Sequence, residues 1–428
     1  MTPLIIAFSA VNAPAKEKTI AVVTVGDSIA GQSLGPFMEV FENSNQQYSV
    51  EEVTSEQFVG RYKKSEKEIP NWGLRTTSPW VRFDLRNAGQ QPKTLYIELR
   101  YAAIDRLSLY QRERTDGDAK LIQTLGDRVA FNQRRVQHRH PVFVIELLPG
   151  TTHFYGNLST LGGQIFPLYL WTPKEFNSFL IRDTAFLGLI FGFLMVMAVY
   201  NFLIALFLKS RAYTCYVAFI MGGMLFQFSY SGMGQQVFEP TVADSWFSNK
   251  GFIVGSQLTT VFGGLFTFFF LDLRVRFPGL ANIFIPFLWI NLLSMVYFLL
   301  GGEYGVAAKI TNISTLFLSV SVTYFAVKAA LMGFRPAWFF SVAWMIFLIF
   351  MNVSALSFFG IIEFNPAYLM LIFVGQAIEV ILLSLALGDR VRRKMRDDKH
   401  QIEALNDDLK KNLSHNLLKT LESRQTDH

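Results

Sequence analysis

The sequence predicts a multi-domain membrane protein with an N-terminal all-β jelly-roll sandwich, a seven-helix transmembrane bundle and a C-terminal coiled-coil helix. Residues 16–178 mix charged and apolar residues, whereas residues 184–388 hold seven apolar stretches with few charges. Residues 389–428 are rich in charge. Because hydrophobic residues make up 51% of the 428 and concentrate in one part, a membrane domain with a soluble attachment is predicted.

Residues 1–15 are predicted to be a signal peptide. Residues 4–11 are apolar, and Ala13-Pro-Ala15 offers small residues at both positions of a cleavage site. Cys215 is the one cysteine of the chain, so no disulfide within the chain supports the exported domain. The soluble domain must therefore fold on its own apolar core.

Short alternating strands predict that the soluble domain, residues 16–178, is a β-sandwich. In one strand the apolar side chains share a face and the charged ones share the other: Val81, Phe83 and Leu85 against Arg82 and Asp84. The same alternation recurs in residues 94–101, 106–110 and 142–147. Glycine-containing turn signals separate these runs, as in sandwiches and jelly rolls.

Side chains with aromatic rings or guanidinium groups are the candidates for a ligand cleft in this domain: Trp72, Trp80, Arg82, Arg134, Arg135 and Trp171. Aromatic rings stack on sugars, and guanidinium groups bind hydroxyls or carboxylates. The alternative is that the tryptophans pack in the core. His138 and His140 would share a strand face and suit a metal, but without an evident third ligand we expect no metal and no cofactor.

Each apolar stretch has about 20 residues or more, enough to cross a hydrocarbon core of about 30 Å. The predicted helices are 184–208, 213–233, 251–272, 279–301, 307–330, 337–360 and 367–388. Odd connections and the segment after the seventh helix are basic, with Lys209, Arg211, Arg274, Arg276, Arg335 and Arg390. Even connections are mostly acidic, so we expect a periplasmic N-terminal domain and a cytoplasmic C-terminus. This placement accounts for the net charge of +6 without nucleic acid.

Polar residues inside the bundle are costly and indicate packing or function. Glu379 is either a switch or proton site, or a hydrogen-bonding group that fixes helix packing. The seventh stretch has no lysine for a retinal Schiff base. Paired broken helices, typical of secondary transporters, are not evident either.

The final segment is predicted to be a coiled coil that forms a parallel homodimer. Its apolar stripe is Met395, Ile402, Leu405, Leu409, Leu413, Leu417 and Leu421, with spacings that begin as a heptad and then drift. A helix lying on membrane lipid is the alternative, although interspersed acids disfavour it. About thirty residues follow Met395, too few for a kinase or cyclase domain, so we expect a receptor that is not an enzyme.

Together these motifs resemble the bacterial seven-transmembrane receptors with diverse intracellular signalling modules, with the type-two extracellular module. The matching stretches are 73–85, 104–110, Gly126-Asp127 with Arg134 and Arg135, 166–171, Tyr200-Asn201 with Arg211, Tyr213 and Tyr216, and Glu379 with 384–390. The resemblance implies a periplasmic jelly-roll sensor for carbohydrates or similar small molecules, a seven-helix transducer and a cytoplasmic output such as a histidine kinase or cyclase. Tyr200, Asn201, Gln376, Glu379 and Arg390 are then the expected coupling residues.

The predicted function is therefore that of a receptor in the bacterial inner membrane. A small molecule, such as a carbohydrate, binds outside, and helix seven relays the change to the coil and a cytoplasmic partner such as a kinase or cyclase. The alternative is an envelope assembly protein whose outer domain binds a partner and whose coil only dimerises.

Overall fold

The computed structural model describes residues 22–42, 48–73, 78–113, 117–160 and 162–426. The predicted signal peptide lies outside these residues. Within them, the chain forms a β-domain, residues 22–172, followed by long helices. The predicted N-terminal β-sheet domain and the helical membrane part are both confirmed.

The described strands of the β-domain form two sheets. They are β1 (Val22–Thr24), β2 (Ala30–Ser33), β3 (Glu39–Phe41), β4 (Lys63–Lys64), β5 (Trp80–Asn87), β6 (Lys93–Leu99), β7 (Arg106–Arg112), β8 (Lys120–Leu125), β9 (Val142–Leu147), β10 (Gly150–Ser159) and β11 (Leu168–Trp171). The larger sheet has the order β4-β3-β5-β10-β7-β8, with β1 parallel to β5, and the smaller has the order β2-β11-β6-β9. The jelly-roll assignment stays a prediction.

The sheets pack through the apolar faces that the alternation predicts. Val81, Phe83 and Leu85 are fully buried, as are Ile97 and Leu99 from the facing sheet. The opposite face of β5, which carries the charged side chains, is not exposed to solvent either, because Arg82 and Asp84 are buried too (4% and 6% exposed). Residues 48–64, including the short helices α1 (Val50–Val53) and α2 (Glu56–Val59), place Val53, Phe58 and Tyr62 in a second small core with Trp80 and Tyr155.

Seven helices in the described residues are long and apolar enough to cross a membrane, which confirms the predicted number of spans. The helices after the β-domain are α3 (Pro173–Leu208), α4 (Arg211–Tyr230), α5 (Met233–Phe238), α6 (Phe252–Phe270), α7 (Leu273–Arg276), α8 (Pro278–Leu299), α9 (Tyr304–Leu331), α10 (Pro336–Phe358) and α11 (Pro366–Thr426). The spans are α3, α4, α6, α8, α9, α10 and α11, and we call them the bundle. A π-helical turn, Phe247–Gly251, precedes α6.

Two of these helices run beyond the bundle. Helix α3 begins directly after β11, with Pro173 in its first turn, and its Phe176 packs in the β-domain core. Helix α11 continues without a break for 61 residues, so the seventh span and the charged C-terminal segment are one rod. Met395, Ile402 and Leu405 are more than 60% exposed on this rod. The coiled coil itself stays a prediction.

Candidate functional site

The six predicted ligand residues do not converge on one cleft. Trp80 is buried against Tyr110, with ring centroids 5.8 Å apart. Arg82 donates from Nε to Glu39 Oε2 at 2.7 Å, and its guanidinium lies 4.5 Å from the centroid of the Tyr62 ring. Residues 48–64 cover this face of β5, so both side chains belong to the structural core.

Trp72 and Arg135 lie elsewhere on the domain. Trp72 Nε1 donates to Glu42 Oε1 at 2.7 Å in an exposed position, and Arg135 is exposed. Arg134 is buried and donates to the backbone carbonyls of His138 (2.8 Å), Arg139 (3.0 Å) and Gly126 (3.1 Å). Arg134 thus shapes the loop that ends in His140.

Trp171, the sixth, belongs to a buried polar cluster around Glu98 of β6. Its Nε1 donates to Glu98 Oε2 at 2.9 Å, and Arg100 Nε donates to the same oxygen at 3.2 Å. The other oxygen, Oε1, is 2.8 Å from His140 Nδ1 and 3.7 Å from His138 Nε2. The two histidine nitrogens are 3.3 Å apart. Glu98 is the third candidate metal ligand that the sequence did not reveal.

Burial and neighbouring groups shift the pKa values of two members of this cluster, His140 and Glu98. Burial, and then the neighbouring Arg139 guanidinium, lower the pKa of His140 to about 3, so its imidazole is neutral. Burial alone would raise the pKa of the Glu98 carboxyl. Hydrogen bonds from His138 and His140 outweigh this and hold that pKa well below its ordinary value. The site is therefore one carboxylate between two imidazoles.

Arg139, between the two histidines, joins the β-domain to the bundle. Its Nε and Nη2 each donate at 2.8 Å to the carboxylate of Asp183 in α3, and Nη1 donates to the carbonyl of Ser231 after α4 at 3.3 Å. Arg139 is buried and Asp183 is mostly buried, at 4% and 10% side-chain exposure. This bidentate pair fixes the start of the first span against the β-domain.

Further contacts join the β-domain to the even connections of the bundle. Gln235 of α5 donates to the carbonyls of Asp127 (3.3 Å) and Val129 (3.0 Å). Asn71 Nδ2 donates to the carbonyl of Ser357 at the end of α10 at 3.0 Å. Even connections therefore lie on the β-domain side, as the charge pattern predicts.

A cavity of about 240 Å³ lies at this boundary, which we call the junction cavity. The β-domain contributes Arg100, Tyr101, Ala102, Arg139, His140 and Tyr169, and the bundle contributes Phe179, Asp183, Tyr230, Ser231 and residues 365–367, 369, 370 and 373. The first, second and seventh spans thus share its wall. The sequence pointed to His140 but not to Arg100, Arg139 and Asp183. The feature that could have identified these three is a charged residue inside or beside an apolar stretch.

The predicted coupling residues divide by location. Asn201 Nδ2 donates to Ser384 Oγ at 3.0 Å, and Gln376 of α11 accepts from Gln227 Nε2 of α4. Glu379 is buried, and neither of its oxygens has a hydrogen-bond partner among the described residues. At the far end, Arg390 donates from Nη2 to both carboxylate oxygens of Asp272, at 3.0 and 2.8 Å.

Tyr200 does not join this group, because its side chain is 54% exposed on the outside of the bundle. The remaining four residues lie along α11 or contact it directly. Three of them, Asn201, Gln376 and Arg390, connect the seventh span to the first span, the second span and the Phe269 carbonyl of the third span, at three successive levels.

Asp127 is a buried acid near the junction, and its titration yields a prediction. Burial, and then the nearby Asp105, raise the pKa of this carboxyl from 3.8 to about 8. The folded state therefore keeps the proton, so its contribution to stability is full below pH 3.8 and is lost as pH rises through about 8. Relative to an Asp127→Asn variant, wild-type stability should fall by at most about 1.4 kcal/mol per pH unit within that window. Thermal unfolding of both proteins from pH 5 to 9 measures the difference, and parallel curves would contradict the buried, protonated acid.

Comparison with known families covers both parts of the chain. Residues 183–390 match the family described as 7TM diverse intracellular signalling, and residues 35–172 match 7TMR-DISM extracellular 2. Comparison with curated proteins found no match. The two matched regions meet at the junction cavity, since Tyr169 lies in one and Asp183 in the other.

Proposed function

Because the chain belongs to the seven-transmembrane receptors with diverse intracellular signalling and carries their type-two extracellular domain, we propose that it relays the binding of a small molecule across the bacterial inner membrane. The β-domain, with a jelly-roll fold, senses the ligand on the periplasmic side. Helix α11 passes the change to a cytoplasmic coil and a signalling partner such as a kinase or cyclase. The chain itself performs no catalysis in this proposal.

The junction cavity carries the proposal. A ligand there would touch the β-domain and the first, second and seventh spans at once. A ligand shifts a conformational equilibrium only if it binds the two states with different affinity. A cavity whose walls belong to different elements can supply that difference, because any relative movement of the walls would change its shape.

The lining chemistry favours a small polar ligand such as a monosaccharide. Tyr230 presents a ring, and Arg100 and Arg139 present donors, with the Arg100 guanidinium 4.2 and 4.6 Å from the ring centroids of Tyr169 and Phe179. The volume is below the about 300–1,000 Å³ typical of drug-sized ligands. Because Arg100 and Arg139 already pair with Glu98 and Asp183, a ligand with hydroxyl groups would join existing networks.

Helix α11 is the proposed route to the other side. Residues 366, 367, 369, 370 and 373 of α11 line the cavity, and the same uninterrupted helix carries Gln376, Glu379 and Arg390. The basic residues around Arg390 support a cytoplasmic end. The exposed stripe of Met395, Ile402, Leu405 and Leu409 supports a dimeric coil, because a partner helix would cover these side chains.

The test is a chimera in which a known histidine kinase output follows the chain, reconstituted in lipid nanodiscs. We expect at least one member of a panel of mono- and disaccharides to change autophosphorylation, and Ala367→Phe, at the cavity wall, to abolish that response. Ala243→Phe is the matched control, because Ala243 is equally exposed in the connection after α4 but does not line the cavity. A response that Ala367→Phe leaves intact would contradict the cavity, and a folded chimera insensitive to the whole panel would contradict the sugar ligand.

A further inference from the structure

We propose that Glu98, His138 and His140 form a binding site for a divalent transition-metal ion such as Zn²⁺. This metal site is separate from the proposed binding of a small molecule and does not depend on it. Its support comes from the spacing of three ligand atoms, the residues that hold Glu98 in place, and a path by which an ion can enter.

The spacing of the ligand atoms fits tetrahedral coordination. Glu98 Oε1 is 2.8 Å from His140 Nδ1 and 3.7 Å from His138 Nε2, and the two histidine nitrogens are 3.3 Å apart. Atoms bound at about 2.0–2.1 Å with tetrahedral angles lie about 3.3 Å apart. An ion about 2 Å from all three atoms therefore fits, slightly to one side of their plane, and this leaves a fourth position open.

The surroundings orient Glu98 for this task. Trp171 and Arg100 both donate to Oε2, so that oxygen is occupied while Oε1 faces the imidazoles. Hydrogen bonds of this kind hold a ligating carboxylate in place in metal sites. Because Trp171 and Arg100 hold Oε2, the other oxygen, Oε1, stays next to the two histidines, where it can bind an ion.

The ligand set indicates which ion binds. Two imidazoles with one carboxylate suit Zn²⁺ and neighbouring transition metals, whereas Ca²⁺ and Mg²⁺ take mainly oxygen ligands. All three residues are at most 4% exposed. His140 also lines the junction cavity, which supplies an entrance for the ion and room for a water molecule as fourth ligand.

An ion would also fix the segment that anchors the first span. Arg139 lies between the two histidines and binds Asp183 of α3 through two hydrogen bonds. Because His138 and His140, on either side of Arg139, would bind the same ion, the backbone at Arg139 would become less mobile. Metal binding would thereby strengthen the attachment of the β-domain to the bundle.

Metal binding by the full chain, purified with a histidine-free tag and stripped with a chelator, tests the site. Competition with a chromophoric chelator should give one Zn²⁺ per chain, and Co²⁺ should produce the visible absorption of a four-coordinate complex. His140→Ala and Glu98→Gln should each raise the Kd at least about 10-fold, since even outer hydrogen-bond partners contribute that much. Trp171→Phe should raise it about 10-fold or more.

His153→Ala is the matched control, because His153 pairs with a carboxylate, Asp84, at 2.8 Å without a second histidine. Its Kd should equal that of wild type. Glu98→Gln keeps the side-chain shape, so hydrogen exchange of the β-domain should match wild type and separate ligand loss from unfolding. No stoichiometric Zn²⁺ on the wild-type chain, or equal affinity in the His140→Ala and His153→Ala variants, would overturn the site. Either result would leave the receptor proposal standing, because no signalling output is measured.

Discussion

Arg82→Ala should destabilise the β-domain by about 3–5 kcal/mol, because it leaves Glu39 as a buried, uncompensated charge. The two side chains are 5% and 7% exposed, and Arg82 Nε donates to Glu39 Oε2 at 2.7 Å. The substitution also removes the guanidinium from the face of the Tyr62 ring. Hydrogen exchange of the β5 amides in the full chain, in nanodiscs, measures the loss.

Two further variants show whether the cause is the unpaired charge. Replacing both partners, as in Glu39→Leu with Arg82→Met, should recover most of the stability, since a buried pair is often replaceable by apolar residues. Lys93→Ala, which breaks the pair with Asp27, should leave the protection of the β5 amides unchanged, because Asp27 is fully exposed. An Arg82→Ala protein with wild-type protection that fails to bind a sugar would instead support a ligand role for Arg82.

Asp183→Ala should have a comparable effect at the junction, where it leaves the Arg139 guanidinium buried with one hydrogen bond, to the Ser231 carbonyl. The expected cost to docking of the β-domain is about 3–5 kcal/mol. Faster hydrogen exchange in residues 231–240 and 357–365, which contact the β-domain, would report it. Unchanged exchange in both segments would show that the pair does not hold the junction.

Asp244→Ala is the matched control, because Asp244 also joins the bundle to the β-domain, through Arg128 at 3.0 Å. That pair is exposed, at 60% for Asp244 and 32% for Arg128, so its loss should cost at most about 1 kcal/mol. Comparing Asp183→Ala with Asp244→Ala therefore shows whether the burial of the ion pair, and not just its presence between the β-domain and the bundle, determines the cost.

Local patterns predicted the elements, because period and length are properties of short stretches. Alternation identified β5, β6, β7 and β9, and apolar length identified the seven spans. The same alternation could not show that the outer face of β5 is buried, because residues 48–64 return to cover it, and nothing local to Arg82 reveals that cover.

The candidate site depends on contacts between distant segments, so the sequence revealed only parts of it. Two-residue spacing drew attention to His138 and His140, but Glu98 reaches them from a strand about 40 residues earlier. Asp183 meets Arg139 only because α3 starts inside the β-domain. Glu379 and Gln376 were recognisable as polar residues in an apolar span, whereas the partner of Gln376, Gln227, depends on how α4 packs.

In the proposed mechanism, a change at the junction moves α11 on the opposite side of the bundle. Spin labels at Val275 and Ile402, both well exposed, with Cys215 replaced by serine, measure that position in nanodiscs. Electron–electron distance measurements should show the mean separation shifted by about 1–2 Å in Asp183→Ala, the scale of helix shifts in switching proteins, and unchanged in Asp244→Ala. Identical distance distributions in wild type and Asp183→Ala would contradict transmission from the β-domain through the seventh span.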